Sequence, residues 1–206
     1  MRDTGDLSAR RAGDAVRRKL IELEPNPLKR AIDRRRPKSD LWSWSSGLAG
    51  EQFTGKRLNR LRRHGWYVLH ALQWPTGTDV DHLAIGPAGV FSINSKRHKD
   101  KKVWYGDRAI TVNGRSTPHI AASLAEGRRV SDLLSRRCGT VIPVRPVIAV
   151  IDAAKVTVKN PNQPVLVVEA PEIGRLLSGL SPSLDRDLMT RVYEVARREE
   201  TWLSPR

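Results

Sequence analysis

The sequence predicts an α/β fold with a mixed central sheet and helices flanking it. Two alternating segments, 79–86 and 89–96, enclose a short Gly/Pro turn and indicate an antiparallel hairpin. The β-branched runs at 146–151 and 165–168 are typical of buried strands. Helical patterns precede and follow the hairpin, and this mixture of elements indicates helices packed on the faces of one sheet.

The individual elements follow from local patterns and from the residues that start and stop them. We predict, in chain order, a helix at 15–23, a helix capped by Ser45 or Ser46 and ended by Gly65, a strand at 66–72, the hairpin, a second hairpin from strands 103–105 and 109–112, a helix opened by Thr117 and Pro118 and ended by Gly139, strands at 146–151, 155–159 and 165–168, a helix at 171–177 and a last helix capped by Ser183.

Length and charge bound the domain organisation and the partners. The 206 residues allow one domain with a substantial core and an appendage. We expect residues 1–40, rich in Arg, to form a basic N-terminal arm that is mobile or loosely packed, and residues 41–206 to form the domain. The net charge of +15 favours polyanionic partners, with nucleic acid first and an anionic membrane surface second.

The chain shows neither a membrane span nor a disulfide framework. No apolar run approaches the ~20 residues that cross a bilayer, and the N-terminus lacks the apolar region of a signal peptide. Cys138 is the only cysteine, so an intrachain disulfide is impossible and a reducing compartment is expected. We therefore expect a cytoplasmic protein, and the sequence leaves its oligomeric state open.

The hairpin at 79–96 gathers polar side chains on one face. With a turn from Gly86 to Gly89, Asp81 lies opposite Asn94 and Asp79 opposite Lys96. Side chains alternate along a strand, so these four share a face. A buried unpaired charge is costly, so the group must be solvated, paired internally or ready to bind a cation. The alternatives are an edge carboxylate paired to a base for Asp81 and a solvated edge lysine for Lys96.

The helix before Gly65 adds a further acid. Glu51 lies on the same side as Leu58 and Leu61 by three-and-four spacing, so it should face inward with them. The alternative for Glu51 is an acid in the first helical turn, where it would favour the helix dipole. Arg57 and Arg60 belong to the remaining, basic surface of this helix.

Three segments together resemble the nuclease-related domain (NERD) family, an offshoot of the PD-(D/E)xK nuclease superfamily. They are Gly50-Glu51, the stretch 79–91 and Ile93-Asn94-Ser95-Lys96, and the resemblance runs from about residue 47 to about residue 134. It implies a restriction-endonuclease-like fold and a divalent cation, Mg²⁺ or Mn²⁺, held by acids from a helix and two strands.

Residue by residue, the resemblance assigns catalytic roles to Glu51, Asp81, Asn94 and Lys96. Glu51 matches the helix acid, Asp81 the strand acid and Lys96 the lysine, while Glu51, Asp81 and Asn94 would hold the metal. Asn94 departs from the pattern, which has Asp or Glu there; its carbonyl oxygen can bind a cation but brings no charge. Asp79 would either compensate for that charge or pair with Lys96.

The resemblance implies a metal-dependent nuclease acting on phosphodiesters, with DNA as the expected polymer. A set of basic side chains would contact the phosphate backbone: Arg57, Arg60, Arg97, His98, Lys99 and Lys101. Asn94 leaves open a second hypothesis, a catalytically inactive module of the same fold that binds nucleic acid. A third, an adaptor docking on anionic membrane or an acidic protein through the basic arm, depends on charge content alone.

Overall fold

The computed structural model describes residues 5–36, 39–77, 79–106, 109–160 and 162–203. It contains seven α-helices and nine β-strands in those ranges. The helices are α1 (Asp14–Leu23), α2 (Pro27–Asp33), α3 (Asp40–Leu61), α4 (His119–Cys138), α5 (Ile173–Ser178), α6 (Arg186–Ala196) and α7 (Glu199–Leu203). The strands are β1 (Tyr67–Gln73), β2 (Asp79–Gly86), β3 (Gly89–Arg97), β4 (Lys102–Tyr105), β5 (Ile110–Val112), β6 (Arg115–Thr117), β7 (Val144–Ile151), β8 (Lys155–Val158) and β9 (Leu166–Glu169).

The main sheet is mixed, as the sequence predicts. Its strand order is β1-β2-β3-β7-β9, in which β1, β2 and β3 are antiparallel neighbours while β3, β7 and β9 are parallel. The β2–β3 register confirms the predicted turn: Ile85 lies opposite Val90 and Gly86 opposite Gly89. The turn therefore fixes which side chains share a face along both strands.

The expectation of a single sheet is wrong, because the strands β6-β5-β4-β8 form a second one. The β3–β7 pair ends at Arg97 and Ile151, and the same two chain segments pair again as β4 and β8. Between the pairs, Asp100 and Asp152 both adopt left-handed backbone conformations, with φ of 59° and 56°. Aspartate is one of the few residues that tolerates this conformation, so the paired segments turn together here and begin a new sheet.

The main sheet is packed on both faces. Leu58 and Leu61 of α3 pack with Ala84 and Phe91 on one face, where α5 also lies. The other face carries Leu83 and Ile85, among others, against α4 and α6. Alternation along β2 and β3 therefore directs Asp81 and Asn94 toward the α4 side and His82 toward the α3 side.

Two of the helix starts that differ from the prediction are explained by their capping side chains. Helix α3 begins at Asp40 rather than near Ser46, because the Ser39 hydroxyl accepts a hydrogen bond from Trp42 N at 3.0 Å and caps the helix earlier. Helix α6 is capped by Asp185, which accepts from Leu188 N at 2.7 Å, and not by Ser183. Each segment contains several residues that can cap a helix, and the spacing of the apolar residues does not determine at which of them the helix begins.

Part of the N-terminal segment is packed, at Leu7 and on α1, whereas α2 has no buried residue. Leu7 belongs to the core cluster under α4 and α6, while Val16 and Leu20 of α1 pack against Leu48 of α3. These few apolar residues lie among many arginines in the sequence, so the composition of the segment does not indicate that they are buried. The boundary at residue 41 stays a prediction, and the beginning of the arm and Pro37-Lys38 lie outside the described residues.

None of the helices in the described ranges is both long and apolar enough to cross a membrane.

Gly86 provides a stability test of the hairpin that carries the site. A Cβ at this position would lie 2.1 Å from Cδ2 of the buried Trp66 ring, far inside contact distance. We expect Gly86→Ala to lower the free energy of unfolding by about 1–3 kcal/mol. Gly47→Ala, where a Cβ meets nothing within 4 Å in a helix, should be neutral or stabilising. Urea unfolding of both variants measures the difference, and equal midpoints would contradict the tight packing at Gly86.

Candidate active site

The open end of the β2–β3 hairpin holds three of the predicted site residues. The Asp81 carboxylate accepts a hydrogen bond from Ser95 N at 2.7 Å, which ties β2 to β3 beyond the paired residues. Burial raises the pKa of Asp81, while the nearby Lys96 ammonium and the Ser95 hydrogen bond lower it. Asp81 and Lys96 are therefore close enough for their charges to interact.

Glu51 reaches this hairpin from α3. Its side chain is only 8% exposed and lies on the buried face with Thr54 and Leu58, as the spacing predicts. Burial, followed by the charges of Asp81 and Asp79, raises the pKa of Glu51 to about 9 against the opposing charge of Lys96. The structure thus brings Glu51, Asp81 and Lys96 into one electrostatic group.

Asp79 belongs to the same group without forming the predicted pair with Lys96. The charges acting on its carboxylate come from Arg18 and Arg10 in the N-terminal segment, and Gln73 gives it a side-chain hydrogen bond. Burial is the larger influence and raises the pKa of Asp79. Its Oδ1 atom is buried and finds no hydrogen-bond partner among the described residues.

Asn94 contacts an acid that sequence reasoning did not select. Its side-chain Nδ2 donates to Oε1 of Glu126 on α4 at 2.8 Å. Burial and the Asp81 charge raise the pKa of Glu126 to about 7, against the lowering effects of the Asn94 hydrogen bond and of the Lys96 and Arg129 charges. The sequence did carry a signal: Glu126 precedes Val130 by four residues and Leu133 by seven, which places it on the buried stripe of the helix.

Two histidines lie close enough to Lys96 for its charge to act on them. The ring centroids of His98 and His119 lie 5.4 Å apart, and the Nε2 atoms of both are buried with no hydrogen-bond partner in the described ranges. Burial and the positive charge of Lys96 lower both pKa values, that of His119 to about 4. His98 was predicted as a nucleic-acid contact, and His119 was not selected.

A buried polar chain supports Asp81 from the α3 side of the sheet. Asn59 Oδ1 lies 3.1 Å from His70 Nε2, His70 Nδ1 lies 2.9 Å from His82 Nδ1, and His82 Nε2 lies 3.2 Å from Ser95 Oγ. With Asn59 Oδ1 as acceptor, His70 carries its proton on Nε2, and His82 must donate from Nδ1. His82 Nε2 then accepts from the Ser95 hydroxyl, so one set of neutral tautomers satisfies the chain.

This chain makes stability sensitive to acid. Burial lowers the pKa of His70 from 6.5 to about 4, so the unfolded chain binds a proton that the folded protein rejects between those values. Stability from this residue is complete above pH 6.5 and is lost as the pH falls toward 4, by about 3 kcal/mol. We expect His70→Asn to flatten the fall in unfolding free energy over this interval, and His64→Asn, at an exposed position, to leave it unchanged. Parallel slopes for His70→Asn and the wild type in denaturant titrations would contradict this assignment.

The predicted nucleic-acid contacts lie in two places. The residues from Arg97 to Lys101 follow Lys96 directly, with Lys99 and Lys101 exposed and Arg97 donating to Asp152 at 2.6 Å. Arg57 and Arg60 lie on α3, roughly 9 and 14 Å along the helix axis from Glu51. Arg57 covers the Phe53 ring, its guanidinium 3.4 Å from the ring centroid, while Arg60 is exposed. Contact with nucleic acid stays a prediction for all six residues.

The donor set suits a hydrated divalent cation. In the part of the chain that the structure describes, no group of three or more His, Cys, Asp or Glu side chains is placed to hold a metal ion. Mg²⁺, however, is usually bound through one or two carboxylates while it keeps several waters. Glu51 and Asp81 supply such carboxylates and Asn94 adds a carbonyl oxygen; burial raises the pKa values of the two acids because it disfavours their charged forms, which a bound cation would stabilise.

Comparisons with known proteins give one match. A family model described as the nuclease-related domain matches residues 46–151, which is more than half of the chain and includes most of α3, the hairpin and α4. Searches of curated proteins and of solved structures found no match.

Proposed function

Since the chain belongs to the nuclease-related domain family, we propose that it is a metal-dependent nuclease that hydrolyses phosphodiester bonds in DNA. The observation that carries the proposal is the approach of Glu51, from a helix, to Asp81 and Lys96 on the β2–β3 hairpin. We further propose that the architecture is a restriction-endonuclease-like fold. An antiparallel β1-β2-β3 unit extended by parallel strands, with helices on both faces, supports this part of the proposal.

The acids and Asn94 form the metal-binding part of the proposed site. Glu51 and Asp81 would bind Mg²⁺ or Mn²⁺ through carboxylate oxygens, and Asn94 through its carbonyl oxygen. The Ser95 N–H holds Asp81 in place, and Ser95 is in turn held by His82. A bound divalent cation supplies Lewis acidity toward the phosphate and makes its water more acidic.

Lys96 is the cationic catalytic group of the proposal. Its ammonium lies among Asp81, Glu51 and Glu126, whose pKa values it lowers. From this position it can orient the attacking water and stabilise the negative charge that builds on the phosphoryl oxygens in the transition state. A compact ammonium suits the role because it serves as a point charge with several donors.

The basic segment after Lys96 provides backbone contacts. Arg97, Lys99 and Lys101 lead directly away from the site, so a phosphodiester at Lys96 would place neighbouring phosphates near them. Such contacts give affinity without reading sequence, and they weaken as salt rises. Arg57 and Arg60 would extend the contact along α3.

Asn94 favours a second candidate function, a module of the same fold that binds nucleic acid without cleaving it. A neutral amide at this position reduces the attraction for a strongly hydrated cation. The two functions differ in one observable: the module would bind DNA in a salt-dependent manner and show no cleavage with either Mg²⁺ or Mn²⁺.

Incubation of the purified chain with linear and supercoiled DNA, with Mg²⁺, with Mn²⁺ and with EDTA, tests the proposal. We expect cleavage with a divalent cation, none with EDTA, and none for a variant carrying both Asp81→Ala and Lys96→Ala. Cleavage that survives in the double variant would show that the assigned site is wrong. Absence of cleavage by the wild type, together with appearance of cleavage in Asn94→Asp, would favour the binding module.

A further inference from the structure

The Asn94–Glu126 contact carries an inference that rests on the proposed function and deepens it. We propose that Glu126 supplies the third carboxylate of the cation site, replacing the acid that Asn94 lacks. In this arrangement Glu126 contacts the hydrated cation through a coordinated water, and the Asn94 amide holds it in position.

Glu126 reaches the site from the face of the sheet opposite Glu51. It comes from α4, which packs on the face of the sheet opposite α3, and its Oε1 lies 2.8 Å from Asn94 Nδ2. Glu51 and Glu126 therefore approach Asp81 from helices on the two faces of the sheet, and the negative charge of Asp81 acts on both. The site then contains three carboxylates around Lys96, the number that the D/E-containing pattern would supply.

The residue types at positions 94 and 126 depend on each other. An Asp at position 94 would place a second carboxylate in direct contact with Glu126, where two like charges require a proton or a cation between them. The amide removes that repulsion and donates the hydrogen bond that orients Glu126. In this arrangement the carboxylate that the pattern has on β3 is supplied by Glu126 on α4, and the amide of Asn94 takes its place on the strand.

The environment of Glu126 suits this role. The side chain is partly buried and accepts a hydrogen bond from the uncharged Asn94 amide, while the charges of Asp81, Lys96 and Arg129 also act on it. A cation that keeps its waters and contacts Glu126 through one of them does not need three side chains at direct coordination distance. The proposal therefore agrees with the finding that no three His, Cys, Asp or Glu side chains in the described parts of the chain are grouped to hold a metal ion.

Mn²⁺ titration of the full chain without nucleic acid tests the inference, with free Mn²⁺ measured by electron paramagnetic resonance at one fixed alkaline pH. Glu126→Gln keeps an oxygen that accepts from Asn94 and removes only the charge, so a purely structural anchor would be preserved. We expect this variant to bind Mn²⁺ at least about tenfold more weakly than the wild type. Asn94→Asp combined with Glu126→Gln exchanges the two groups, and we expect it to recover most of the lost affinity.

Controls separate this inference from the proposed function. Glu172→Gln makes the same chemical change at the surface, where Glu172 pairs with Arg175, and should bind as the wild type does. Wild-type affinity in Glu126→Gln, with binding abolished in Asp81→Asn, would overturn the role of Glu126 and leave the proposed function standing. A double variant no better than Glu126→Gln would overturn the exchange. Absence of Mn²⁺ binding by the wild type would overturn both proposals. Circular dichroism melting of each variant verifies that it is folded.

Discussion

Asp81→Asn and Lys96→Met should each reduce DNA cleavage by roughly 10³-fold or more, but they should affect cation binding in opposite ways. Asn at position 81 removes a carboxylate that we assign to the cation, so Mn²⁺ affinity should fall together with the rate. Met at position 96 removes a positive charge from a group of acids, so Mn²⁺ affinity should be kept or increased while the rate is lost. Single-turnover cleavage at saturating Mn²⁺ and direct Mn²⁺ titration measure the two effects separately.

The control for Asp81→Asn is Asp132→Asn, the same chemical change at an exposed position on α4. It should leave both the cleavage rate and Mn²⁺ affinity at wild-type values. Loss of Mn²⁺ affinity in Lys96→Met would mean that the lysine acts by supporting the structure of the site. Full activity in either site variant would contradict the proposed mechanism.

Cation affinity should rise steeply with pH, which is the second large effect. Glu51, with a pKa of about 9, and Glu126, with a pKa of about 7, are largely protonated in acid and must release protons when a cation binds. Below both pKa values the protons compete with the cation, so affinity falls as pH falls. Release of one proton gives about a tenfold gain in affinity per pH unit, or roughly 100-fold over two units below the pKa of Glu51.

Isothermal titration with Mn²⁺ in buffers of different ionisation enthalpy counts the protons released. Glu51→Gln cannot release that proton, so its affinity should be weaker throughout and should depend less on pH. An affinity of the wild type that is constant between pH 6 and pH 9, with no proton release, would show that neither acid binds the cation.

The β2–β3 hairpin and the inward position of Glu51 were predictable because local rules decide them. The Gly86–Gly89 turn sets the register, and the register sets which side chains share a face. Helical spacing alone places Glu51 beside Leu58 on the buried side of α3. Both predictions need only residues that are close in sequence.

The remaining features depend on contacts between distant elements. Glu126 meets Asn94 only because α4 crosses the face of the sheet toward which Asn94 points, and no local pattern specifies that crossing. The second sheet depends on a bend that the two chain segments make together at Asp100 and Asp152, which are 52 positions apart in the chain. The sequence pattern of each strand would be the same whether or not this bend occurred. The burial of Leu7 likewise requires distant partners, since the segment 7–9 packs against β1.

The central claim is that Glu51 and Asp81 hold one divalent cation beside Lys96. Anomalous diffraction from crystals grown with Mn²⁺ tests it most directly, because the element is located independently of any activity. We expect a single strong anomalous peak at the open end of the hairpin, bounded by carboxylate oxygens of Glu51 and Asp81. Saturating Mn²⁺ with no peak between those two residues would contradict the account.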